Sequence, residues 1–165
     1  GMVAAVVVRT VLERPAMERD AVEFFSQRES NIYKVTKERL SRLYRSETRF
    51  ADRSFWKQRS GSKVLDEPMI PRLPLRSDMK LRSGPGVELV EAPVLEEEFI
   101  ERRTVLMSPE RERAVRYFGE VSLPEVFLHA TRSETAAIAA RNAPYPFDKA
   151  YKAIDWLYSS GYLIE

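Results

Sequence analysis

The spacing of apolar residues divides the chain into a helical beginning, a broken middle and a helical end. Ile32, Val35, Leu40, Leu43 and Tyr44 recur at helical spacing and predict an amphipathic helix capped at Ser30 or Asn31. Ahead of it, Pro15 suits a first helical position, and Glu18 and Asp20 favour the positive end of the dipole. Val22, Phe24 and Phe25 give that helix its apolar side. The valine run from Val3 to Thr10 fits a strand by its β-branched residues and a helix by its continuation to Leu12.

From about Ser60 to Glu91 the periodicity is broken by Pro68, Pro71, Pro74 and Pro85 and by Gly61, Gly84 and Gly86. This predicts extended segments and turns, a short hairpin around Ser83–Gly86, and a strand over Val87–Val90. Glu96 to Met107 fits either a helix or a strand.

The end of the chain is better punctuated. Ser108-Pro109-Glu110 reads as a helix start, with Ala114, Val115 and Phe118 on one face and Gly119 as the stop. Ser122-Leu123-Pro124-Glu125 repeats that start before Val126, Phe127 and Ala130. Ser133 then caps a small-sided helix from Glu134 to Asn142. Pro144-Tyr145-Pro146 forces a turn, and a last helix from Phe147 carries Ala150, Tyr151, Ile154, Leu157 and Tyr158. Gly161 ends it, and Tyr162-Leu163-Ile164 reads as a strand. The fold class is therefore mainly α, of the α+β kind. It comprises a basic helical region over 2–59, an irregular linker or arm with short strands over 60–104, and a helical module over 105–165.

An alanine-rich short helix, a tight turn, an amphipathic helix and then Trp156-Leu157-Tyr158-Ser159-Ser160-Gly161-Tyr162-Leu163-Ile164-Glu165 resemble the helix-turn-helix and exit strand of winged-helix proteins. The resemblance covers about Leu123 to Glu165 and lacks an evident wing. The wing is absent or cut off, or another strand completes the sheet. The resemblance implies a recognition helix held on a three-helix platform, with Lys149 and Lys152 on its outer face beside Asp148 and Asp155. It also implies a second use, as a protein-binding module gripping through Trp156 and Tyr162.

Charge is segregated along the chain. Between Lys34 and Lys63 ten basic residues face three acidic ones, a surplus of seven. Glu88 to Glu101 holds six glutamates and no basic residue, whereas Val105 to the end is nearly balanced. Tyr33, Tyr44, Phe50, Phe55 and Trp56 are interleaved with the basic stretch, a composition that can track phosphates and stack on bases. Lys34, Lys37, Arg42, Arg45, Arg49, Arg53, Lys57 and Arg59 are accordingly candidate nucleic-acid contacts, together with Lys149 and Lys152. The basic stretch has a second outlet, the acidic run of the same or another chain.

The chemistry on offer is narrow. Cysteine is absent and His129 is the sole histidine, which removes thiolate chemistry and any His-rich metal site. Ser83-Gly84-Pro85-Gly86 lacks the Lys-Ser/Thr of a phosphate loop. No cofactor or metal is implied, and no apolar run approaches the roughly 20 residues of a membrane span. The expectation is a cytoplasmic, non-enzymatic DNA-binding protein of transcription regulation or genome maintenance, working as a homodimer or with a protein partner. The competing expectation is an assembly or adaptor module that binds protein and no nucleic acid.

Overall fold

The computed structural model describes residues 1–60, 74–109 and 111–165, and for residues 111–113 the backbone alone. Gly61, Lys63, Pro68, Pro71 and Glu110, used in the sequence reading, lie outside the described residues. The protein is a mixed α+β chain whose described residues form two compact units. One comprises residues 1–60 with Glu98–Ile100, and the other residues 74–97 with Glu101–Glu165.

The first unit is helical. Helix α1 spans Met2–Glu13, so the valine run is helix and not strand. Its buried Thr10 hydroxyl donates to the Val6 carbonyl at 2.8 Å and accepts the Ile100 N–H at 3.0 Å. The hydroxyl thereby serves as both donor and acceptor inside the unit. A 3-10 turn at Pro15–Met17 leads into α2, Glu18–Ser46, which is one continuous helix of 29 residues. Ser30 and Asn31 are interior positions of α2, not caps. Each costs a helix only a few tenths of a kcal/mol, and no Pro or Gly interrupts the segment. Helix α3, Ser54–Ser60, follows a turn.

The second unit holds the main core. Strand β1 (Arg82–Ser83) pairs antiparallel with β7 (Leu163–Ile164), Arg82 opposite Ile164 and Ser83 opposite Leu163. Thus a strand from the middle of the chain, and not a wing, lies beside the exit strand. Strands β2 (Glu88–Glu96), β3 (Phe99–Ser108) and β4 (Arg111–Val115) form a sheet in that order. The segment read as irregular thus contains a long hairpin, turning at Glu97 with φ 51°. Strands β5 (Tyr117–Phe118) and β6 (Val121–Ser122) make a tight hairpin at Gly119. The helix expected after Ser108 is therefore β4 and β5. Pro after Ser suits a turn as well as a helix start, and pairing with β3 decides between them.

Helices α4 (Leu123–Arg132) and α6 (Phe147–Ser159) stand where the sequence places them, whereas α5 (Ala136–Asn142) starts two residues later than read and is capped by Thr135, whose hydroxyl accepts the Ile138 N–H, and not by Ser133. Leu123, Val126, Ile154, Leu157 and Leu163 are fully buried between them, and Ala136, Ala139, Ala140, Ala150 and Ala153 allow close packing. Segment 77–79 straps the start of α5: the Ala136 N–H donates to the Met79 carbonyl at 2.8 Å and the Ala137 N–H to the Ser77 carbonyl at 3.0 Å. These bonds satisfy donors that the helix itself leaves unpaired. Among the described residues no helix is long and apolar enough to cross a membrane.

Candidate binding surface

The most distinctive surface of the first unit lies where α2 ends and α3 begins. Glu47 closes α2 in an extended conformation. Its carboxylate accepts Arg49 Nε at 2.9 Å, Arg49 Nη2 at 2.6 Å and the Arg49 backbone N–H at 2.9 Å. These bonds hold the Glu47 carboxyl down at about 2, the guanidinium contributing first and the backbone N–H second. They also fix the turn, after which the Arg53 carbonyl accepts N–H groups from Trp56 and Lys57, each at 3.0 Å.

The return of α3 gathers four rings. Trp56 meets Tyr44 edge-on with centroids 5.3 Å apart, stacks on Phe50 at 5.9 Å and meets Phe55 edge-on at 5.6 Å. Tyr44 and Phe55 complete the set at 6.0 Å. The Arg59 guanidinium lies 3.9 Å from the Phe55 ring centroid, and that of Arg49 lies 5.6 Å from Phe50. Yet Phe50 and Phe55 remain 40% and 49% exposed. Apolar ring faces rimmed by guanidinium groups suit a polypeptide carrying aromatic and acidic side chains, since both contacts are strongest where water is displaced.

Of the predicted contacts, Arg49, Lys57 and Arg59 belong to this surface, with Arg53 exposed in the turn. Lys34, Lys37, Arg42 and Arg45 are exposed along α2. Lys149 and Lys152 are exposed on α6 of the other unit, where Lys149 Nζ donates to Glu120 at 2.6 Å. Trp156 is half-buried between Phe118 and Tyr162, with centroids 5.9 and 5.8 Å away. Tyr162 is fully buried and supports Trp156 from within, which leaves Trp156 as the exposed member of the pair.

Sequence reasoning missed two charged arrangements because their members are distant in the chain. In the first unit, Arg14 lies 3.6 Å and Arg9 4.8 Å from the Phe99 ring centroid, and Arg9 also pairs with Glu98. In the second, Glu96 accepts the Tyr117 hydroxyl at 2.6 Å and pairs with Arg116 at 3.3 Å, while Arg116 Nη1 donates to the Thr104 carbonyl at 2.7 Å. Among the described residues, Glu98 of the acidic run is thus engaged by Arg9, Glu96 by Arg116 and Glu101 by Arg103. A shallow groove of about 550 Å³ is lined, among the described residues, by Ala4, Ala5, Val8, Arg9, Leu12 and Glu13 of α1. Among the described residues no group of three acidic or histidine side chains is placed to hold a metal ion.

No known protein family and no curated protein matches the sequence. The fold is similar to part of a solved structure described as "Peptidyl tryptophan dihydroxylase QhpG essential for tryptophylquinone cofactor biogenesis", with a TM-score of 0.66 and 18% identity. The likeness covers 97% of this chain and 34% of that one, so the chain spans about a third of that protein's length. This finding overturns the expectation of a non-enzymatic DNA-binding protein, and with it the transcription and genome-maintenance reading. A fold running through nearly the whole chain is one found within an enzyme of cofactor biogenesis. On α6 the Lys149 ammonium is engaged by Glu120, with Asp148 beside it.

Proposed function

We propose that this chain is the polypeptide-docking part of an enzyme that modifies a side chain within a peptide. The observation that carries the reading is the likeness, along nearly the whole chain, to about a third of an enzyme whose description names a peptidyl tryptophan as its target. On this reading the reacting groups are supplied by polypeptide beyond these residues. The chain itself contributes the surface of Tyr44, Phe50, Phe55 and Trp56 with Arg49 and Arg59. The rings take an aromatic side chain by edge-on or stacked contact, and the Arg59 guanidinium donates to a flanking carboxylate, while Arg49, held by Glu47, fixes the turn and rims Phe50. In the second unit, α4–α6 with β7 form a module of winged-helix type, the strand β1 standing where a wing would pair. The buried alanines of that module and the β1–β7 pairing support this part of the reading.

The test is fluorescence anisotropy with labelled peptides of one length: acidic with a central Trp, acidic without an aromatic, and basic with a central Trp. The acidic Trp peptide binds most tightly, and Phe55→Ala or Arg59→Glu weakens it about tenfold or more, the scale of a lost anchor of about 1.4 kcal/mol. Equal binding of all three peptides, or indifference to both substitutions, removes the proposal.

A further inference from the structure

Helix α2 carries an apolar stripe that the described residues leave uncovered. At 3.6 residues per turn Val22, Ile32, Tyr33, Leu40 and Leu43 fall within about 100° of one another around the helix, and Tyr33 and Leu43 are 69% and 65% exposed. Twenty-nine residues at about 1.5 Å per residue make a rod roughly 43 Å long, long enough for an extended helix-to-helix seam. Only Ala21 and Ser41 of this helix are buried, so its stripe faces outward for most of its length.

The charges on the same helix are polarised. From Glu18 to Glu29 four acids (Glu18, Asp20, Glu23, Glu29) stand against two arginines, an acidic surplus of two. From Ser30 to Ser46 five bases (Lys34, Lys37, Arg39, Arg42, Arg45) stand against Glu38, a basic surplus of four. A parallel pair of such helices would set like charge on like along its whole length. An antiparallel pair sets the acidic half of each on the basic half of the other, and its centre falls at Ile32–Tyr33. We infer that a second copy of this chain covers the α2 stripe, the two helices running antiparallel about a two-fold axis near Ile32–Tyr33. Each partner then places Val22 beside the other's Leu43. This pairing is argued from α2 alone and not from the peptide-docking reading: Phe50, Phe55 and Trp56 lie beyond the end of α2, and Tyr44, within it, is half-buried against Phe55 and Trp56.

The absence of native cysteine makes the arrangement directly readable. Val22→Cys and Leu43→Cys chains are purified separately, mixed and oxidised. The antiparallel pair yields a covalent heterodimer from the mixture and little from either variant alone, since like positions lie roughly 30 Å apart across the axis. Light scattering of the unmodified protein at tens of micromolar gives twice the chain mass, and Leu40→Glu with Leu43→Glu gives the single mass with an unchanged helical circular-dichroism spectrum. A single mass for the unmodified protein at every concentration overturns the inference. So does self-linking of Val22→Cys, which reports a parallel pair.

Discussion

Gly84 and Gly161 approach so closely that a methyl group on Gly84 would sit 2.2 Å from the Gly161 carbonyl oxygen. Gly84 also donates its N–H to the Tyr162 carbonyl at 2.9 Å, continuing the β1–β7 pairing past Ser83. A two-residue strand pair is thereby extended at the point where α6 hands over to β7. Backbone stands against backbone here, so no flexible side chain can yield. Gly84→Ala is expected to destabilise the second unit by about 1–3 kcal/mol, the usual cost of overpacking. Urea unfolding followed by Trp156 emission in a Trp56→Phe background measures it, and an unchanged midpoint would show that the contact relaxes freely.

The opposite sign is expected at Glu97, which turns the β2–β3 hairpin with φ 51°. An L-residue in the left-handed region costs about 1–2 kcal/mol. Glycine removes that cost but adds about 0.4–1 kcal/mol of unfolded-chain freedom. Glu97→Gly therefore stabilises by about 0.5–1 kcal/mol, read as a raised melting temperature, whereas Glu97→Val lowers it.

At Glu47 the prediction concerns acid. Its carboxyl is held at about 2 by Arg49, against an ordinary 4.5. A depressed folded value means that the stabilising contribution is complete above the unfolded value and is lost as pH falls from about 4.5 towards 2. In a Trp156→Phe background, Trp56 emission should stay flat from pH 7 to 5 and change below that. In Glu47→Gln this acid step disappears; its persistence would assign the step to another carboxylate.

Tyr117, Tyr145 and Tyr151 give the alkaline counterpart. Burial first, and in the first two a hydrogen bond to Glu96 or Glu125 second, raise their phenols above the ordinary 10.0. A raised folded value contributes stability fully below the unfolded value and loses it as pH climbs through the folded one. The second unit should therefore weaken above about pH 10. Glu96→Gln should move the Tyr117 titration, followed by phenolate absorbance, downward. It also leaves Arg116 without its carboxylate, and an upward movement would contradict the assigned cause.

The legible parts of the sequence were those governed by neighbours in the chain. Ser122-Leu123-Pro124 and Pro146-Phe147 mark the starts of α4 and α6 because the fixed backbone angle of proline acts within one turn; neither start carries a side-chain cap. The same grammar misled at Ser108-Pro109, where pairing with β3 makes the segment a strand. At Ser30–Asn31, capping chemistry was present but a longer helix was available. The interleaving of cations and rings from Lys34 to Arg59 was visible, while the gathering of Tyr44 with Phe50, Phe55 and Trp56 depends on a reversal at Glu47–Arg49. Pairs such as Glu96 with Arg116 left no local mark, because tertiary packing alone brings them together. The DNA-binding reading arose from charge and grammar, which polypeptide-docking surfaces share.

The most direct test of the docking claim is to locate a bound peptide. An acidic peptide with a photoreactive phenylalanine at its centre is irradiated with the protein, and the attachment site is mapped by mass spectrometry. The account predicts attachment between Tyr44 and Arg59, suppressed by excess unlabelled acidic Trp peptide. Attachment confined to other segments, or attachment that the competitor leaves unchanged, would contradict it.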